Sequence, residues 1–288
     1  MNDDDRPTDW TLPWQPLAER RLEPELLARH RTSASISVFF PAYNDAATIG
    51  LLIETSLRML SGICDDYEVI VVNDGSQDET AEVLGAWEAR DPHVRIVTHE
   101  ANRGYGGALI SGFAAATKEL VFYTDGDGQY DPTELLTLLS LIDQCDVVQG
   151  WKQVRRDAWY RTVIGRLYHR MAALAFGLRI RDVDCDFRLM RRALFDHLQL
   201  ECPVGFICTE MMRKVQDLGA RICEVSVHHY PRVFGHSQFF TPRVVRLIPV
   251  FAGYWWKLVV APRLLRQART PAWNPVPALP AASKMRAS

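Results

Sequence analysis

The sequence predicts an α/β fold, in which a mostly parallel sheet carries helices on both faces and further amphipathic helices follow near the C-terminus. Between residues 34 and 150, short apolar runs alternate with amphipathic segments, a pattern typical of strand–helix–strand units in a parallel sheet. Polar stretches follow the first four apolar runs. Ligands bind at the carboxyl ends of strands in such sheets, so we expect a binding site at that edge.

The alternation predicts each element in turn along the 288 residues. Beyond residue 150 the pattern is less regular, but it still predicts three helices and one strand. The predicted strands are 36–40, 68–72, 94–98, 120–124, 146–150 and 220–230. The predicted helices are 47–60, 79–90, 107–117, 132–142, 160–176, 193–198 and 206–218.

Composition divides the chain further. Residues 1–33 show no clean periodicity and predict a loosely docked N-terminal arm, and the Pro/Ala-rich stretch 269–288 predicts a disordered tail. The main domain is expected at 34–235. Within 236–268 charged residues and Pro249 interrupt every apolar run, so none reaches the roughly 20 residues of a spanning helix. This segment either lies in a membrane surface or packs as core helices.

Charge and cysteine content indicate the surroundings of the protein. Residues 1–150 carry 26 acidic against 10 basic side chains, whereas residues 151–288 carry 9 against 23. The second half is therefore expected to meet an anion, such as a phosphate, a membrane surface or nucleic acid. The six cysteines are scattered, which argues against a zinc site or a disulfide framework and favours a reducing compartment. The acidic N-terminus excludes a secretory signal peptide.

The stretch TDGDGQ, which follows the predicted strand 120–124, is the strongest functional signal. It places Asp125 and Asp127 two residues apart beside glycines. Paired carboxylates suit a hard cation, Mg²⁺ or Mn²⁺, that leaves coordination positions for a diphosphate. A polar turn is the alternative interpretation of these residues.

Two other strand ends carry weaker signals. In NDGSQD, Asp74 is placed to accept hydrogen bonds from a nucleobase or ribose, while Ser76 or Asp78 caps the following helix. In NRGYGG, the glycines from Gly104 onwards open a helix, where a phosphate could be held by backbone N–H groups.

PAYND, VVNDGSQDET, NRGYGGAL and TDGDGQYDP, in this order, resemble the family 2 glycosyltransferases, which have the Rossmann-like GT-A fold. The resemblance covers about residues 35–240 and is closest to the dolichol-phosphate mannose synthase branch. It implies nucleotide contacts in the 34–150 half and a metal held by Asp125 and Asp127, with Gln129 beside it. Asp45 stands where the family usually has Glu. The implied nucleotide-binding residues are Pro41, Tyr43, Asp45, Asp74, Gly104 and Asp125.

The half from 151 to 235 resembles the same branch in its arginines. WKQVRRDAWYR, DVDCDFRLMRR and YPRVFGHSQ supply basic residues that the branch uses for donor and acceptor phosphates, a task suited to the forked donors of Arg. Arg188 and Arg232 are also implied to be catalytic. Asp186, where a small residue is usual, is placed to orient Arg188. The implied phosphate ligands are Arg155, Arg156, Arg161, Arg188, Arg232 and Ser237.

The resemblance implies an inverting, metal-dependent transferase that moves a hexose from a GDP- or UDP-sugar to a dolichyl or undecaprenyl phosphate. Such a protein would be cytoplasmic, peripheral on the membrane, and without a nucleic-acid partner. A sugar-hydroxyl acceptor is the alternative, and it would require Asp184, Asp186 or Glu210 as a base. A nucleotidyltransferase and a non-catalytic membrane-surface module are further alternatives. The sequence leaves the donor and the oligomeric state open.

Overall fold

A computed structural model of the chain describes residues 12–153, 172–234, 247–264 and 273. The strands in these ranges are β1 Ile36–Ala42, β2 Tyr67–Asn73, β3 Val94–Thr98, β4 Leu120–Thr124, β5 Val147–Lys152, β6 Phe187–Arg191 and β7 Ile222–Val227. The α-helices are α1 Gln15–Arg21, α2 Pro24–Arg29, α3 Ala46–Ile63, α4 Thr80–Arg90, α5 Gly104–Ala115, α6 Leu135–Leu139, α7 Ile207–Asp217, α8 Leu247–Trp255 and α9 Ala261–Leu264. Short 3₁₀ helices span Pro132–Glu134 and Arg192–Asp196, and a π-helix spans Trp256–Val260.

The described strands form one sheet in the order β3-β2-β1-β4-β6-β5-β7. Strands β1 to β4 are mutually parallel, and β5 is parallel to β7. β6 runs antiparallel to both β4 and β5. The predicted mostly parallel sheet is therefore confirmed.

The sequence pattern did not reveal β6. Two arginines in FRLMR, Arg188 and Arg191, interrupt its apolar run, yet every residue of the strand is buried. Arg188 donates to Val183 O and Arg191 donates to Ile142 O inside the protein, so charge does not mark solvent exposure here.

Helices cover both faces of the sheet, as predicted, because alternate strand residues point to opposite sides. Val38 and Phe40 of β1 join a core with α1, α2, α3 and α6. Phe39 joins a second core with α5, α7 and the π-helix. Among the described residues, α3 alone has the length and apolar composition of a membrane span, and its buried side chains place it in the first core.

Both chain ends differ from expectation where the structure describes them. The N-terminal arm was expected to dock loosely, but Trp14 is fully buried and Leu12 is 3% exposed. Trp273, in the segment expected to be disordered, is 8% exposed, and its backbone N–H donates to Leu218 O at 2.9 Å. At the described positions the side chains of Leu12, Trp14 and Trp273 are buried, which a search for periodicity does not detect.

The cysteines also differ from expectation. Cys145 and Cys223 form a disulfide with their Cα atoms 5.9 Å apart. They are 78 residues apart in sequence but close in space, because Cys145 precedes β5, Cys223 lies in β7, and these strands are neighbours in the sheet. The cysteines described as free are all buried, namely Cys64, Cys185, Cys202 and Cys208.

Candidate active site

The loops that follow β1 to β4 meet at one edge of the sheet because these strands are parallel. Asn44 joins the first loop to the second. Its N–H donates to Ser76 Oγ at 3.0 Å, and its Oδ1 accepts from the N–H of Gln77 at 2.8 Å. Asn44 has φ 58°, in the left-handed region that Asn tolerates better than most residues. The first two loops therefore form one hydrogen-bonded rim.

Asp125 directly follows β4 and faces the third loop. Its carboxylate accepts a hydrogen bond from the Tyr105 hydroxyl at 2.8 Å. Burial raises the pKa of Asp125 well above its usual value, and the nearby carboxylates of Asp186 and Asp127 raise it further. Sequence reasoning missed Tyr105, although it lies within the NRGYGG stretch. A tyrosine beside two glycines gave no chemical signal without the fold.

Asp127 contacts the predicted arginine. Its Oδ1 accepts from the N–H of Gln129 at 3.0 Å, and its Oδ2 pairs with the guanidinium of Arg232. Burial raises the pKa of Asp127, whereas Arg232 acts in the opposite direction. The structure therefore brings Arg232, from the far half of the chain, to the acidic pair.

Gln129 anchors the segment that carries Arg232. Its side-chain amide donates to Tyr230 O at 2.9 Å, and Tyr230 N–H donates to Gln129 O at 2.8 Å. His228 adds a contact of 2.7 Å between its Nδ1 and Glu134 Oε1. These bonds hold residues 228–230 against the segment that directly follows Asp125 and Asp127.

The acidic pair fits a hard divalent cation by its chemistry. Asp125 and Asp127 supply carboxylate oxygens, and Gln129 has only its amide oxygen left as a candidate ligand because its amide nitrogen contacts Tyr230. Within the described ranges, no three His, Cys, Asp or Glu side chains form a ready metal-binding group. Mg²⁺ needs no such cage, because it is commonly held by one or two carboxylates plus substrate phosphates and water.

Asp45 lies beside the loop that carries the acidic pair. Its Oδ2 accepts from the N–H of Tyr43 at 2.9 Å, and burial raises its pKa to about 7. Thr48 donates to Gly126 O at 2.7 Å. A Cβ at Gly126 would lie 2.7 Å from Pro41 O, so this glycine allows the fourth loop to pass close to the end of β1.

Asp74 holds the third loop in place. It is 3% exposed, and its Oδ1 lies 2.6 Å from His99 Nδ1 and 2.8 Å from the N–H of Arg103. His99 Nε2 lies 2.8 Å from Ser111 Oγ on α5. A contact between Asp74 and a nucleotide stays a prediction.

The glycines of the NRGYGG stretch, in the first turn of α5, have a packing role. A Cβ at Gly106 would lie 2.0 Å from Cys202 O, and one at Gly104, whose φ is +80°, 2.7 Å from Pro203 O. Gly106 N–H donates to Pro203 O at 3.0 Å, and Gly104 N–H donates to Asn102 Oδ1 at 2.9 Å. Gly104 therefore does not present the N–H that phosphate binding requires.

Arg188 lies beneath the site and is fully buried. It donates to Asp186 Oδ1 at 2.8 Å and to Val183 O at 2.6 Å, and it also contacts the Tyr123 hydroxyl and the Gln149 amide oxygen. Internal acceptors enclose the guanidinium in this arrangement, and a contact of Arg188 with an acceptor phosphate or a role in catalysis stays a prediction.

Asp186 is a third carboxylate near the acidic pair. Its pairing with Arg188 agrees with the orienting role predicted for it. Cys208 Sγ donates to the same carboxylate at 2.9 Å, and burial raises the pKa of Asp186 to about 6. Its side chain is 15% exposed, so it keeps some access to the site.

Lys152 supplies a further positive charge. Its Nζ donates to Asp184 O at 2.9 Å, and the ammonium group acts to lower the pKa values of Asp125, Asp127 and Asp186. The site thus combines acidic and basic groups, as the resemblance implied.

Glu210 is excluded as a base for a hydroxyl acceptor. It is fully buried and accepts hydrogen bonds from the N–H of Cys202 at 2.9 Å and from Lys214 at 2.6 Å. Four predicted ligands lie outside the described residues, namely Arg155, Arg156, Arg161 and Ser237.

The N-terminal segment packs against the loop that carries Asp125, Asp127 and Gly128. Trp14 Nε1–H donates to Gly128 O at 2.8 Å, and Arg21 pairs with Asp131. Sequence reasoning missed this contact, because nothing in the local pattern connects residues so far apart.

The sheet, the paired carboxylates and the converging loops define a GT-A fold protein with an acidic ligand site. A family model described as "Glycosyl transferase family 2" matches residues 37–199, more than half of the chain, and the chain belongs to this family. Trp14 and Arg232 both lie outside the matched region, so this chain completes its site with segments beyond it.

Sequence comparison finds a similar protein from Enterobacter sp. (strain 638), undecaprenyl-phosphate 4-deoxy-4-formamido-L-arabinose transferase. It is 32% identical over 216 residues, which are 74% of this chain and 65% of that protein. The chain therefore spans only about two thirds of the length of this curated relative.

Similar solved structures are those of glucosyl-3-phosphoglycerate synthase from Mycobacterium tuberculosis. The complex with Mn²⁺, UDP and glucosyl-3-phosphoglycerate has a TM-score of 0.58 at 20% identity, covering 91% of this chain and 85% of that one. The complex with Mg²⁺ and UDP has a TM-score of 0.57 at 20% identity, covering 91% and 84%. At this identity the likeness concerns the fold alone.

Proposed function

We propose that this chain is an inverting glycosyltransferase that moves a hexose from a GDP- or UDP-sugar to a polyprenyl phosphate, with Mg²⁺ or Mn²⁺ as cofactor. The observation that carries the proposal is the carboxylate pair Asp125 and Asp127 at the end of β4, with Arg232 beside it. Family membership over residues 37–199 supports sugar transfer as the reaction class.

The donor would occupy the rim formed by the loops after β1 and β2. Tyr43 and Asp45 lie on the first loop, beside the acidic pair, and Asp74 lies on the second. The metal, when bound, would offset the negative charge that develops on the departing nucleoside diphosphate. Asp125 and Asp127 would hold it. The solved structures of similar fold contain Mn²⁺ or Mg²⁺ together with UDP.

The acceptor is proposed from charge and from the curated relative, whose name gives undecaprenyl phosphate as its acceptor. A phosphomonoester has a second pKa of about 6, so its oxygen attacks the sugar carbon without a protein base. Such an acceptor needs cations instead, and Arg232 and Lys152 lie at the site.

A sugar hydroxyl is the second candidate acceptor, and one observation favours it. Asp186 is partly exposed next to the acidic pair, and its pKa is raised to about 6. A carboxylate with that pKa is suited to accept a proton from a hydroxyl. In that case Asp186 would be the catalytic base.

The test uses purified protein, Mn²⁺, radiolabelled GDP- and UDP-sugars and a short-chain polyprenyl phosphate, with label followed into the organic phase. We expect transfer by the wild-type protein and none by Asp127→Ala. Donor binding without lipid labelling would reject the lipid acceptor. Loss of hydroxyl-acceptor activity in Asp186→Asn would then establish the second candidate.

We further propose peripheral contact with the cytoplasmic face of a membrane. Trp255 and Trp256 are 40% and 56% exposed, and Leu264 is 67% exposed. Exposed tryptophans beside a basic residue, here Lys257, are typical of segments that lie in the membrane interface. Co-sedimentation with anionic vesicles is expected at low salt, and Trp255→Ser/Trp256→Ser should reduce it. Equal sedimentation of the variant would contradict the proposal.

A further inference from the structure

Both carboxylates of the acidic pair already bind a donor from the protein. Asp125 accepts from the Tyr105 hydroxyl at 2.8 Å, and Asp127 pairs with the guanidinium of Arg232. A divalent cation on Asp127 would therefore have to take a position that a positive side chain now uses.

The side chain of Arg232 can move away from its ion pair with Asp127. The backbone two residues earlier is fixed, because Tyr230 and Gln129 exchange two hydrogen bonds. The Arg232 side chain is 31% exposed, whereas Asp127 is 10% exposed. The guanidinium can thus swing towards solvent about its flexible stem while the acidic loop stays in place.

Electrostatics indicate where the guanidinium would go. A divalent cation on Asp127 would repel a guanidinium that remained on the same carboxylate, because their charges have the same sign at short range. The diphosphate that accompanies the cation brings several negative oxygens to the same place. A planar guanidinium binds two such oxygens at once.

We propose that Arg232 is an exchangeable counter-ion of Asp127: it neutralises this carboxylate while no cation is bound, is displaced by the divalent cation, and then pairs with the nucleoside diphosphate. The inference rests on the proposed function for the presence of both ligands. In the absence of nucleotide, Arg232 would compete with the cation for Asp127. When cation and diphosphate are both bound, Arg232 would instead stabilise the complex.

The two roles predict opposite effects of replacing Arg232 on two affinities of the full-length protein, that for Mn²⁺ alone and that for nucleotide in the presence of Mn²⁺. Mn²⁺ binding is measured by the electron paramagnetic resonance of free Mn²⁺, first without nucleotide and then with GDP or UDP. We expect Arg232→Met to bind Mn²⁺ alone about fivefold more tightly than wild type, and the nucleotide in the presence of Mn²⁺ about fivefold more weakly. Arg58→Met, which removes an exposed arginine paired with Glu19, is the control and should change neither.

The outcomes separate this inference from the proposed function. If wild type binds Mn²⁺ and nucleotide but Arg232→Met gains no Mn²⁺ affinity, the exchange is wrong and the proposed function stands. If neither protein binds Mn²⁺, both are wrong. A purely structural ion pair would weaken both binding events when Arg232 is replaced.

A second measurement needs no variant. Phenylglyoxal modifies accessible arginines, and peptide mass spectrometry reports the rate at Arg232. We expect Mn²⁺ alone to increase this rate, because it releases the guanidinium, and Mn²⁺ with GDP or UDP to reduce it again. A rate that Mn²⁺ leaves unchanged would overturn the inference even if Arg232→Met failed to fold.

Discussion

The guanidinium of Arg188 donates to Asp186 Oδ1 at 2.8 Å from a position with no solvent exposure. This pair joins the antiparallel strand β6 to the acidic site above it. Arg188 therefore acts on the site through Asp186, whereas Arg232 reaches the site itself. Both arginines had the same predicted role in catalysis and phosphate binding, but replacing them should have different effects.

Arg188→Met should lower the free energy of unfolding by about 3 kcal/mol, because it removes the hydrogen bonds to Asp186, Val183 O and Gln149 and leaves buried acceptors without a donor. Equilibrium unfolding in urea measures the change. Arg192→Met is the control, since its side chain is 39% exposed in a pair with Asp196 and should change stability by less than about 0.5 kcal/mol. Wild-type stability together with lost nucleotide binding would show that Arg188 contacts a ligand after all.

Trp14→Phe should lower the free energy of unfolding by about 1–3 kcal/mol, because it removes the hydrogen bond to Gly128 O and part of a fully buried ring. We also expect weaker Mn²⁺ binding, since Gly128 adjoins Asp127. Thermal unfolding and Mn²⁺ titration measure the two effects. Trp256→Phe, at a position 56% exposed, should leave both unchanged; an equal loss there would contradict the assignment.

Gly106→Ala should destabilise the protein by about 2–3 kcal/mol, because the new Cβ would lie 2.0 Å from Cys202 O and force the backbone apart. Gly85→Ala on α4 is the matched control. A Cβ there meets nothing within 4 Å, and alanine in a helix is more favourable than glycine by about 0.5–1 kcal/mol. Urea unfolding of both variants tests the pair, and similar stabilities would show that the third loop can move away from Cys202.

Asp45→Asn should stabilise the protein at alkaline pH. The pKa of Asp45 is raised from 3.8 to about 7 by burial, so the folded state holds a proton that the unfolded state releases between these values. The stability of the wild-type protein therefore falls as pH rises through this window, because the unfolded state ionises while the folded carboxyl stays protonated. Asparagine removes that loss of stability and can still accept from the N–H of Tyr43.

Urea unfolding at several pH values checks the sign. The stability difference between Asp45→Asn and wild type should be largest at pH 8, shrink below pH 7 and disappear near pH 4. A constant difference for Asp45→Asn would mean that Asp45 titrates normally in the folded protein.

The sequence predicted the parallel part of the sheet well, because the strand and helix periods of β1 to β4 and α3 to α5 are local properties. It predicted the rim for the same reason, since the carboxyl ends of parallel strands must lie together. It did not predict β6, because the arginines of this strand resemble the pattern of an exposed surface. It did not predict α1 and α2, because these helices are too short to show a clear period. The disulfide between Cys145 and Cys223 was also not predicted, because only the order of the strands brings these two cysteines close together.

The sequence by itself determined the family, the position of the acidic pair and the basic character of the second half, because motifs and composition are read without knowing contacts. Only the tertiary structure decided which arginine meets Asp127, that Tyr105 contacts Asp125, and that Trp14 supports the loop of Gly128. Those contacts join residues 20 to 114 positions apart. Such pairings depend on how strands and loops pack in three dimensions, and no local pattern of residue types encodes them.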